Sequence, residues 1–66
     1  MKALITKTSG DYEDSKSGQF RTGKFWKVEV DEVVIRRAGS VAKKDIEEVV
    51  RNNFGWDIEI KWVQRV

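Results

Sequence analysis

The sequence predicts an α+β domain: a three- or four-stranded sheet, mixed or antiparallel, with one helix packed on one face, in the order strand, bulged strand or hairpin, helix, strand. Three observations carry this. One stretch, 40–55, has the apolar spacing of a helix and a stop signal at its end. Residues 56–64 (WDIEIKWVQ) alternate apolar and charged side chains, and residues 2–7 and 24–36 also read as extended. The 66 residues make one domain, 1–66, with a small core, because chains near this length bury only about 60% of the surface their unfolded form exposes.

The first strand, KALITK, is short. Residues 8–23 (TSGDYEDSKSGQFRTG) are rich in Ser, Thr, Gly and charge and lack an apolar period, so they read as a long polar loop, functional or mobile. Connections in compact domains usually run about 4 to 6 residues. In 24–36 (KFWKVEVDEVVIR), Trp26, Val28 and Val30 fall on even numbers, Val33 and Ile35 on odd ones. The phase slips at Asp31 and Glu32. With no Gly, Asn or Pro there to make a two-residue turn, a bulged, bent strand is preferred to a hairpin.

The helix is expected to start at Ser40 as N-cap and stop at Gly55, with Ala42, Ile46, Val49 and Val50 on one stripe and Phe54 beside it. That stripe should lie on the Trp56, Ile58, Ile60 and Trp62 face of the last strand, leaving Asp57, Glu59 and Lys61 to solvent. All three tryptophans are thereby expected inside. If the strands flanking the helix share a sheet, they are parallel.

Composition narrows the chemistry. The chain has no Cys and no His, which removes disulfides, thiolate metal sites and the commonest zinc ligand and general base. No Gly-x-Ser-x-Gly elbow is present. Asp11, Glu13 and Asp14 lack the ligand alternation of a calcium loop, and Gly18 and Gly23 lack the Gly-Lys-Ser/Thr ending of a phosphate loop. No enzyme activity, metal or cofactor is expected. The longest uncharged run before Lys7 is the four residues Ala3–Thr6, far from a signal core or a membrane span, so the expected location is the cytoplasm.

Thirteen basic and eleven acidic residues leave a net charge of +2, too mild to specify a partner. Their distribution says more. From Lys16 to Val28 there is no acidic residue, and Lys16, Arg21, Lys24 and Lys27 stand among Phe20, Phe25 and Trp26. Arg36, Arg37, Lys43 and Lys44 form a second basic cluster. Cations tracking phosphates beside aromatic rings suit nucleic acid. Lys43 and Lys44 lie in the first helical turns, where the macrodipole disfavours cations. Either an anion sits there, or pairing of Lys43 with Glu47 and Lys44 with Glu48 offsets the cost.

KTSGDYED at 7–14 and WDIEIKW at 56–62 resemble short proteins of Gram-positive bacteriophages that open on a Lys-Thr-Ser strand end and close on a Trp-x-Ile-Glu-Ile strand. The likeness covers the two ends of the chain only. It implies a phage or mobile-element accessory protein, one that binds and inhibits a host factor, and it assigns no functional residue.

Two binding functions follow. The preferred one is a protein-interaction or inhibitor module using Tyr12, Phe20 and Phe25 as exposed anchors in the polar loop. The alternative is nucleic-acid backbone binding through Lys16, Arg21, Lys24, Lys27, Arg36, Arg37, Lys43 and Lys44. A homodimer through the edge of the last strand is also expected, with Lys61 and Arg65 as guards and Trp62, Val63 and Val66 unbalanced by acid.

Overall fold

The computed structural model describes residues 1–63. The expected strand end at Gln64, the guard Arg65 and Val66 lie outside the described residues. Four strands, β1 (Lys2–Glu13), β2 (Phe20–Val30), β3 (Val33–Ala38) and β4 (Glu59–Val63), and one helix, α1 (Lys43–Phe54), follow in the order β1, β2, β3, α1, β4. The sheet order is β3-β2-β1-β4, with β1 antiparallel to β2, β2 antiparallel to β3, and β4 parallel to β1. The strands that flank the helix are parallel as expected, but they occupy opposite edges. The chain therefore crosses the whole sheet through α1.

Alternation explains which side is covered. Ala3, Ile5, Trp26, Val28 and Val30 face α1 and pack with Ile46, Val50 and Ile58 into the main core. Burying such side chains contributes roughly 1.5 to 3 kcal/mol each relative to exposure. Ile35, Ile60, Trp62 and Phe54 pack at its margin.

Four expectations are corrected. First, 31–32 is a hairpin turn: Val30 pairs with Val33, and Asp31 takes φ 53°. Aspartate tolerates that left-handed region better than most residues, so the turn forms without Gly or Asn. Second, 8–23 is no loop. β1 runs on to Glu13, β2 begins at Phe20, and the turn between them spans 14–19. This arm extends past the cover of α1, so neither face needs the apolar period that would have marked it as strand.

Third, the N-cap is Ala42, without a side-chain cap hydrogen bond, and Ser40 lies in the turn before it. Gly55 does end the helix, with φ 109° and its N–H donating to the Arg51 carbonyl at 2.8 Å. Fourth, Trp56 is 68% exposed in the turn before β4, not under the helix.

The arm bends. Gly10 and Gly23 pair directly, and their φ values of 146° and 139° suit glycine alone. Beyond them the tip turns toward the face opposite α1. There Ser15 N–H donates to the Arg36 carbonyl at 3.0 Å, and Arg36 N–H donates to Ser15 Oγ at 2.9 Å. Asp14, itself buried, organises the turn by accepting the Lys16 N–H at 2.9 Å. Inside the bend Tyr12 and Phe25 stack with ring centroids 4.5 Å apart. They form a second, smaller core.

Candidate functional site

Tyr12 and Phe25 are only 6% and 7% exposed, so they are not surface anchors. The reason is the bend: with no side chain on the intervening Gly10 and Gly23 pair, the two rings meet and exclude water. Phe20 alone of the three is open, at 81% exposure near the arm tip.

The eight basic residues do not form one surface. Lys16 and Arg21 belong to the arm tip, where Arg21 Nη2 donates to Gln19 Oε1 at 3.4 Å. Lys27 and Arg36 pair across β2 and β3 on the face away from α1, and Lys27 is bound to Glu29 at 2.9 Å. Arg37 is half-buried, its Nη1 donating to the Arg36 carbonyl at 3.1 Å. Lys44 borders a shallow groove of mixed charge with Glu47, Glu48, Arg51 and Trp56. The expected Lys43–Glu47 and Lys44–Glu48 pairs do not form among the described residues. Instead Glu47 takes Arg51 at 3.0 Å.

Lys24 and Lys43 do come together, and Lys7 joins them. These three lysines line a cleft of about 510 Å³ between the base of the arm and the start of α1. Its remaining walls are Thr8, Ser9, Trp26, Trp62 and Val63. No carboxylate lines it among the described residues. Each lysine comes from a different element, β1, β2 or α1.

The tryptophans order this array. Trp26 is fixed by its Nε1, which donates to the Val41 carbonyl at 2.8 Å, and it meets Trp62 edge to face with centroids 5.7 Å apart. Lys7 Nζ lies 4.8 Å from the Trp26 ring centroid, and Lys43 Nζ 5.6 Å from that of Trp62. Both distances are those of cation–π contacts. Such contacts restrain long side chains that would otherwise be disordered in water.

Lys24 is placed by the end of β3. Gly39 N–H donates to the Lys24 carbonyl at 3.0 Å, and the backbones approach so closely that a Cβ on Gly39 would stand 2.6 Å from that oxygen.

Sequence reasoning missed Lys7 and the two ring contacts. The signal for Lys7 was its odd number, in phase with Ala3 and Ile5, which places it on the helix side of a strand longer than expected. The Ser-x-x-Lys spacing of Ser40 and Lys43 also went uncounted. It makes no nucleophile and base here: Ser40 precedes the helix, no hydrogen bond joins the two among the described residues, and the Lys43 ammonium lies over Trp62.

No cluster of three metal-ligating side chains occurs among the described residues, and none of their helices is long and apolar enough to cross a membrane. Comparison with protein-family models, with characterised proteins and with solved structures found no match.

Proposed function

We propose that the protein is a non-catalytic binding module whose three-lysine cleft holds the phosphate backbone of nucleic acid. The observation that carries this is the convergence of Lys7, Lys24 and Lys43 on one cleft without a carboxylate among its described walls. Like charges held together raise the free energy of the empty protein, and an anion relieves it. The uncapped start of α1 adds N–H groups and the positive end of a helix dipole beside Lys43.

The test is titration of labelled mixed-sequence single- and double-stranded oligonucleotides at about 50 and 200 mM salt. Binding should weaken steeply, with a single-strand slope near −2 on a log–log plot if about three phosphates are neutralised. Lys24→Glu should cost about tenfold or more in affinity. Absence of binding at the lower salt, or affinity indifferent to salt, defeats the proposal.

A second reading, docking on a protein partner, is favoured by one observation: Phe20 is open at the arm tip beside Arg21 and Lys16. The inhibitor role implied by the phage resemblance goes with this reading. Phe20→Ala separates the two, because Phe20 is not a wall of the cleft and its loss should leave oligonucleotide affinity unchanged.

A further inference from the structure

The cleft combines two features that nucleic-acid sites commonly use for different ends, cations for phosphates and aromatic rings for bases. A base stacks only on an open ring face. Here the rings are taken. Trp26 is 6% exposed, anchored through its indole N–H and set edge to face against Trp62, and the Lys7 ammonium lies over its ring. Trp62 is half-buried, with the Lys43 ammonium over it.

Resting on the phosphate-binding reading above, we infer that the cleft recognises a short run of phosphate groups through ammonium groups seated on its own indoles, and leaves the bases unread. An ammonium over a ring spends only part of its three-donor shell on that contact. The remaining N–H groups are free to meet phosphate oxygens. Lys24 completes the set, and the hydroxyls of Thr8 and Ser9 supply neutral donors on the β1 wall. A cleft of about 510 Å³ lies within the range of small-ligand sites, large enough for several adjacent phosphates. The recognised chemistry is a row of phosphate oxygens, whether from a nucleic-acid strand or from a free inorganic polyphosphate.

The experiment uses the whole chain, with tryptophan emission and displacement of a labelled single-stranded oligonucleotide as readouts. Inorganic tripolyphosphate should displace the oligonucleotide and shift the emission, because it brings negative charge against the ammonium groups that lie over the indoles. An abasic strand of the same length should bind within about threefold of the base-bearing one, and adenosine should neither compete nor change the emission. Loss of affinity by more than about threefold in the abasic strand overturns the inference, since stacking on one ring is worth roughly that or more. So does an effect of adenosine.

Lys7→Gln combined with Lys43→Gln should abolish the emission shift, while Lys44→Gln, whose lysine borders the other groove, serves as a control that keeps it. An emission shift that survives the loss of both lysines overturns the proposal. If tripolyphosphate binds but no oligonucleotide does, the nucleic-acid reading falls and this inference stands. If oligonucleotides bind and tripolyphosphate does not displace them, the reverse holds.

Discussion

Gly39 has no positive φ to explain it, yet it is the glycine with the least freedom to change. Its N–H holds the Lys24 carbonyl, and a Cβ there would lie 2.6 Å from the oxygen and 2.9 Å from the carbon of that carbonyl. These are backbone atoms and cannot rotate away. Gly39→Ala should therefore force β3 and β2 apart at their ends, costing about 1 to 3 kcal/mol as overpacking does. In a domain this small that lowers the melting temperature by roughly 4 to 8 °C per kcal/mol. A thermal melt matching the wild type would show that the strands accommodate the methyl group. No pattern in RRAGSV announces this requirement, because it depends on which strand lies alongside. The buried state of Val28, Ile46 and Val50 was legible from spacing alone. That of Tyr12 and Phe25 was not: Tyr12 sits in a polar stretch, Phe25 is out of phase with Trp26, Val28 and Val30, and the two become a core only by meeting each other.

At the scale of elements, the helix, its stop at Gly55 and the alternation of Ile58, Ile60 and Trp62 were readable, since each is set by neighbours in sequence. The arm was hidden because strand pairing is long-range, and the Gly10 and Gly23 pair is visible only once β1 and β2 are aligned. The arm is held by the Tyr12–Phe25 stack and by Ser15 on Arg36, while the helix packs on the other side of the sheet. These are separate cores and should open separately. Tyr12→Ala should raise amide hydrogen exchange across 9–13 and 20–23 by about tenfold or more and leave the α1 amides protected. Equal loss of protection in α1 would mean that the arm and the helix open as one unit.

For the molecule as a whole, a net charge of +2 conceals a local excess of positive charge. The cleft draws on positions 7, 24, 26, 43 and 62, so no window of sequence contains it. Mutual repulsion of its lysines should make the free protein less stable than its core permits. Lys24→Gln combined with Lys43→Gln should raise the melting temperature by several degrees in dilute buffer. The gain should vanish near 1 M salt, where the Debye length falls to about 3 Å. Unchanged stability at low salt would show that the lysines tolerate one another through solvent, and would weaken the case that they await an anion. The two margins of the sheet also differ. The middle of the β3 margin is latched by Ser15, whereas β4 ends the sheet with no further strand beyond it among the described residues. A molecule with one latched and one unlatched side has a valence of one for strand pairing. Any self-association of that kind should therefore stop at two copies, and fibre growth at high concentration would show that the Ser15 latch leaves the β3 margin open.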